Sequence, residues 1–553
     1  MYQGFRRTAV PAQAAQQLET TTIPAPTRGI IQDENLTFMQ PGAAVVCDNW
    51  KPTLSGVSLR GGCDRWCVLP ETTPVLSGFR YASGNNQSMF AANATKLYNV
   101  TTSAPVLVQG GQASGNYCAS QLANQGGDFL LALNDAGDYP LRFDGTTWTQ
   151  LNAGQINGPA GSNVVNGKNL TYVTKYRNRW FFIEASSMNA WYLPLNAIQG
   201  TLAMIPLSGA ATKGGKLLFC ASWSIDAGDG IDDKLVFCTD LGELLIFTGG
   251  DPSNAANWSQ EGRYSIAPPM GMNAWLPLGG DLLIATTQGI IPTSASITKS
   301  SEELELAAIT RTIKPMWRDE VNAKTQWPWT LHNWESYGGI FVTWPGSTPG
   351  YCAVVNAATG AWCRFVGYDA TCWMRLRDDM FFGTQGGIVM QADRTGYDDG
   401  QPYVATLVGG WEMFQAPSQT ITWHQARASF SASQGQPFAP QLSATADYVV
   451  TIPAPPPAGP DPGTPDVWDE GLWGPDQGPP PPPVPSPADR AQYAQWDQAS
   501  ISTPVVRNTG WVSIGVTGYS LAPVVQVTVA QQAKPVVDLI SIAATFERCG
   551  INV

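Results

Sequence analysis

The densest set of hard-metal ligands in this sequence is Asp226-Ala227-Gly228-Asp229-Gly230-Ile231-Asp232-Asp233. Carboxylates alternating with small residues are what a calcium loop offers. The run lacks the twelve-residue spacing of an EF-hand and its closing bidentate glutamate. It therefore reads first as a solvated Asp/Gly turn, with Asp226, Asp229 and Asp232 as the only metal candidates. The chain has two histidines, His332 and His424, and both sit beside tryptophan (Trp329, Trp334 and Trp423). That is the setting of a packed strand-edge imidazole rather than of a general base. Sugar hydrolysis would need two convergent carboxylates. Glu184, Glu243 and Glu335 supply the type, but no local pattern joins them and no arginine cluster for an acidic sugar stands out. Cys63 and Cys67 form a C-x3-C pair with no second pair at finger-like distance, so the ten cysteines read as buried reduced thiols. No glycine-rich loop has nucleotide-binding spacing. The expectation is a protein with no catalytic residue, no cofactor and no built metal centre.

The elements that would position these residues are short hairpins. In the stretch from Asp233 to Ile297, apolar runs such as Leu235 to Cys238 and Leu244 to Phe247 flank Asp/Gly turns, a β-hairpin pattern. The pattern recurs with starts at Met89, Phe129, Trp180, Leu235, Leu282, Ile340 and Met380. Successive starts lie 40 to 58 residues apart, the length of a four-stranded propeller blade with loop insertions. The spacing predicts a mainly β protein built on a β-propeller of about seven blades, with six as the near alternative. An additional β domain would come from C-terminal and possibly N-terminal strands. Residues 1–32 read as an extended arm and 33–75 as N-terminal strands leading into the propeller. The propeller itself spans 76–411, with a helical insertion near 301–314 that places Leu304, Ala307, Ala308 and Ile309 on one face. Closure of the ring is expected from Ser58 to Val68, pairing with the far end of the repeats.

Residues 412–553 read as a C-terminal β region interrupted by a block from Pro453 to Pro487. Fifteen of the 35 residues in that block are proline, which excludes sheet pairing through most of it. Trp468, Leu472 and Trp473 stand inside it. A stiff polyproline-like arm loses little entropy on docking, and those three side chains are the interface candidates.

Composition fits this plan. The chain has 553 residues, 13% of them charged, with 56 glycines, 43 prolines and 21 tryptophans, which suits many short strands and turns. A net charge of −12 is not the footprint of a nucleic-acid binder. No apolar run approaches the ~20 residues of a membrane span. The opening Met1 to Thr20 has two arginines but no apolar core after them, so no secretory signal is expected.

Four stretches, in order, resemble the nozzle or tail-tubular-protein-B-like family of short-tailed phages. They are PAPTRGIIQDENLTFMQPGAAVVCDNWKPTLSGVSLRGG, LGELLIFTGGDPSNAANWSQEGRYSIAPPMG with GGDLLIATTQGIIPTSASI, then ELAAITRTIKPMWRDEV, and finally GWVSIGVTGYSLAPVVQVTV. The proline block departs from the family core. The resemblance implies a non-enzymatic virion protein, assembled in the host cytoplasm into a homo-oligomeric ring, usually a hexamer. Its partners would be the tail adaptor and tail fibre or spike proteins, with genome DNA passing through the channel without specific binding. An acidic, rigid protein agrees with such a conduit, because walls that avoid phosphate contacts do not make transit sticky. The alternatives are a propeller adhesin on the same virion, or a glycan depolymerase.

Overall fold

The computed structural model describes residues 18–32, 35–224, 233–300, 302–323, 329–344, 350–414, 419–433, 438–458 and 505–548. The chain is mainly β, 51% strand against 6% helix. Each of the seven apolar starts falls in the second strand of an antiparallel sheet. These strands are Asn86–Ala92, Gly127–Asn134, Arg179–Glu184, Lys234–Thr239, Asp281–Thr286, Gly339–Thr343 and Asp379–Gly383. After at most three leading residues they run buried without alternation. A strand paired on both edges and covered on both faces has no solvent side, so it reads as a continuous apolar run.

Five of the seven are four-stranded sheets and a sixth is a run of four strands within a larger sheet; these six are the blades of a β-propeller. The first blade is Ser77–Ser83, Asn86–Ala92, Leu97–Asn99 and Val106–Gln109; the second begins at Tyr117–Asn124, the third at Leu170–Tyr176 and the fourth at Leu217–Trp223. The fifth begins at Thr330–Trp334 and the sixth at Cys372–Leu376. Between the fourth and fifth lies a three-stranded sheet, Trp275–Leu278, Asp281–Thr286 and Gly289–Pro292. Six full blades is thus the count, and the unit starting at Leu282 is the one that falls short. The chain leaves that sheet for helical turns instead of a fourth strand.

Those turns correct the expected helix near 301–314. They comprise Thr293–Thr298, Leu304–Ala307, a 3-10 turn Arg311–Ile313 and the longest helix, Lys314–Ala323. The chain goes extended at Ala308 (φ −63°, ψ 135°). Leu304 and Ala308 bury into the core shared by the second to fourth blades, whereas Ile313, Met316, Trp317 and Val321 bury into a different one. A single straight helix could not serve both cores.

The ring is closed by the later part of the expected segment, while Ser58 and Leu59 pair instead with Trp50–Pro52 and the last strand. Cys63–Val68 is the fourth strand of the sixth blade, antiparallel to Ile388–Ala392, with Val68 opposite Ile388 and Cys63 opposite Ala392. An N-terminal strand thereby seals the last blade, and Cys67 and Val389 share a core with Val75, Met89 and Phe381.

Where it is described, the expected extended arm before residue 32 is strand paired into sheets. Glu19–Pro24 pairs antiparallel with the last strand, Val537–Arg548. Gly29–Ile30 lies parallel between Trp362–Val366 of the fifth blade and Ala43–Asp48. The approach is close enough that a Cβ on Gly29 (φ +67°) would lie 2.3 Å from the Trp362 carbonyl oxygen, so only glycine fits. This graft extends the fifth blade into a nine-stranded sheet with Tyr403–Gly409, Leu521–Val529 and Pro440–Ala446. Tyr403–Gly409 therefore belongs to the second domain, and the propeller ends before the expected boundary at 411. A seven-stranded sheet centred on Ile421–Ala432 and Val537–Arg548 completes that domain. Residues of both sheets share one core, among them Leu407, Val525, Trp423 and Phe546.

Candidate functional site

Asp226, Asp229 and Asp232 lie outside the described residues, as do Trp468, Leu472 and Trp473. Among the described residues no group of three or more His, Cys, Asp or Glu is placed to hold a metal ion. No described helix is long and apolar enough to cross a membrane.

The carboxylates available for sugar chemistry are engaged elsewhere. Glu184 is buried and accepts hydrogen bonds from Asn189 Nδ2 (3.0 Å), Trp191 Nε1 (3.0 Å) and Asn163 Nδ2 (3.2 Å). Glu243 accepts from Thr212 N, Thr212 Oγ1 and Lys213 N at 2.7 to 3.0 Å, with Arg263 Nε 3.4 Å away. Burial would raise the Glu243 pKa, but these donors and the Arg263 charge bring it below its usual value. Both groups pin loops of their own blades. Glu335 is exposed and pairs with Arg375 at 3.5 Å. The two histidines are apart in role as well as in sequence. His424 Nε2 lies 3.1 Å from Glu547 Oε2 in the second domain. Burial first, then the nearby Arg80 and Arg375 charges, pulls the His332 pKa down to about 4. Cys63 and Cys67 are buried on the closure strand, and burial raises the pKa of both thiols, Cys67 to about 11.

Arg60, which the sequence did not flag, forms a dense polar cluster. It is fully buried and makes a two-pronged pair with Asp398, Nη1–Oδ1 2.9 Å and Nη2–Oδ2 2.6 Å. Its other donors reach the Gly61 and Val366 carbonyls and Asn49 Oδ1. Its plane stacks against Tyr403 (4.2 Å) and Tyr368 (4.4 Å). Burial alone would lower its pKa; Asp398 more than reverses that and holds the guanidinium charged. Arg60 ties the closure strand, the fifth blade and the second domain together. Every donor is used within the fold, so the cluster is structural.

The open site is elsewhere. The first strands of neighbouring blades touch one another around the axis: Ser77–Ser83 meets Tyr117–Asn124, which meets Leu170–Tyr176. Where these three converge lies an open cavity of about 460 Å³, lined by Arg80, Gln121, Asp128, Leu130 and Lys175 with alanines between them. Alternation along a strand puts Arg80 and Ala82 on one face, as it does Ala119, Gln121 and Ala123. Gln121 seals the seam of the first two blades, accepting from Ala82 N (3.2 Å) and donating to Ala82 O (2.6 Å). Asp128 is oriented by Ser83 Oγ, which donates to its Oδ2. Arg80 is exposed and has no hydrogen bond or ion pair resolved among the described residues. Spacing could not have found this site, since its side chains come from three repeats about 45 residues apart.

Fold and site define a class: a closed β-propeller sharing a sheet with a two-sheet β domain woven from both chain ends. No protein-family model matches the chain, and no curated protein matches it. Solved structures similar to it include the computationally designed Ika8 protein (10% identity, 60% of this chain and 99% of that one, TM-score 0.34). Sqt1 of Saccharomyces cerevisiae is similar over 64% of this chain and 97% of its own, with 12% identity and TM-score 0.34. The extracellular domain of BT4673, a putative one-component system of B. thetaiotaomicron, is similar over 72% and 50%, with 10% identity and TM-score 0.38.

Proposed function

We propose that this chain is a non-catalytic structural protein of a short-tailed phage virion, the nozzle. Copies of it would close into a ring, six by the family resemblance, whose channel conducts the genome outwards. The order of the four family-like segments carries this reading, together with where they lie. The first covers the graft at Gly29–Ile30, strand Ala43–Asp48 and the hairpin of Trp50–Pro52 and Val57–Leu59. The second and third run through the last two strands of the fourth blade, the three-stranded sheet and the helical turns; the fourth covers Val512–Gly518 and Leu521–Val529. Apart from those two strands of the fourth blade, these elements set the molecule apart from a plain six-bladed propeller.

Two further features support the reading. The buried Glu184 and Glu243 have their carboxylate oxygens occupied by structural donors. The shared nine-stranded sheet makes propeller and second domain one continuous hydrogen-bonded body, suited to bearing load in a tail. The partners would be the tail adaptor on one side and fibre or spike proteins outside. Native mass spectrometry and cryo-imaging of the purified chain test the proposal. A closed ring is the expected result, and a strict monomer at tens of micromolar, alone and with adaptor, would overturn it.

A further inference from the structure

The cavity between the inner strands of the first three blades is lined by charged, polar and apolar side chains together. We infer that it binds a carboxylate-bearing sugar, as a unit of an acidic glycan. The volume, about 460 Å³, lies in the range of small-molecule pockets. Although the chain carries a net charge of −12, two cations, Arg80 and Lys175, stand on its wall. They come from inner strands of different blades.

A guanidinium presents a planar fork that matches a carboxylate in two parallel hydrogen bonds. Arg80 has that fork uncommitted to any carboxylate among the described residues, in contrast to Arg60, whose fork is filled by Asp398. Asp128 decides between a bare anion and a sugar. Its Oδ2 is held by Ser83, and no partner is resolved for Oδ1 among the described residues. A carboxylate in a pocket for phosphate or sulfate would repel the ligand. One beside a sugar accepts hydrogen bonds from hydroxyls and orients the ring. Leu130 and the alanines at 82, 119 and 123 give the apolar surface on which a pyranose face can rest.

The test uses the isolated full-length chain, so it does not depend on ring assembly. Sodium glucuronate, glucose and inorganic phosphate are titrated separately by calorimetry at low salt. Glucuronate is expected to bind at least tenfold more tightly than either of the others. Arg80→Met should lower glucuronate affinity at least tenfold with an unchanged circular dichroism spectrum, because Arg80 is exposed. Asp128→Asn should weaken glucuronate while leaving or improving phosphate binding, which no general loss of structure would do. The inference is overturned if glucuronate gives no binding, if glucose matches it, or if phosphate competes with equal affinity. It is equally overturned if Arg80→Met and Lys175→Met both bind glucuronate like the parent chain.

Discussion

Arg60 is the residue on which the join between propeller and second domain turns. A buried guanidinium is tolerable only because Asp398 and three backbone or amide acceptors surround it. Breaking one half of such a pair strands the other half in a low-dielectric interior. Asp398→Asn is therefore expected to cost about 3–5 kcal/mol in denaturant unfolding, whereas Arg60→Met with Asp398→Leu should recover much of it. His332 gives a second residue-scale expectation. Its folded pKa, about 4, lies below the ordinary value of 6.5, so the folded state favours the neutral ring. Stability from this group is complete above pH 6.5 and declines as pH falls towards 4, where the unfolded chain takes up the proton first. His332→Gln should flatten the stability profile across that window, as followed by urea midpoints at successive pH values.

At the scale of elements, closure is made by a strand that precedes all the repeats. Val389 lies directly opposite Cys67 in an antiparallel pair, both buried. Directly opposed residues of this kind have Cα atoms within disulfide reach. Val389→Cys, oxidised and digested, is expected to yield a peptide pair joining positions 67 and 389. The bond would tie a loop of more than 300 residues and raise thermal stability, by up to several kcal/mol on loop-entropy grounds. Recovery of both positions as free thiols after oxidation would count against this closure. The second strand of each sheet is the element most visible in sequence, because burial on both faces makes an unbroken apolar run. Outer strands such as Trp258–Ser265, largely exposed and polar, leave no such trace.

For the whole molecule, the notable feature is that the first and last described strands build the same domain. Glu19–Pro24 and Val537–Arg548 are hydrogen-bonded neighbours although more than 500 residues lie between them in sequence. The fifth blade passes into that domain through one continuous sheet. Propeller and second domain should therefore unfold together, in a single transition by tryptophan fluorescence and by calorimetry. Two resolved transitions would mean that the shared sheet does not couple them. Ring formation would add a concentration dependence to that transition, since association with the native state raises its apparent stability.

Local patterning was enough to announce a mainly β chain, hairpin units of blade length, closure by a strand just before the repeats, which proved to be residues 63–68 of the expected 58–68, and a strand-rich C-terminal region. Each of these rests on burial periodicity or on neighbours within one unit. What tertiary structure decided needed contacts across hundreds of residues. The unit at Leu282 ends at three strands because its chain must bridge two cores through Leu304 and Trp317. The N-terminal segment is a strand only because residues 537–548 lie beside it, and Tyr403–Gly409 changes domain because Leu521–Val529 pairs with it. The cavity of Arg80, Asp128 and Lys175 is assembled from three repeats, none of which carries a motif alone. Strand alternation sets which face a side chain takes, but only ring closure decides which faces meet.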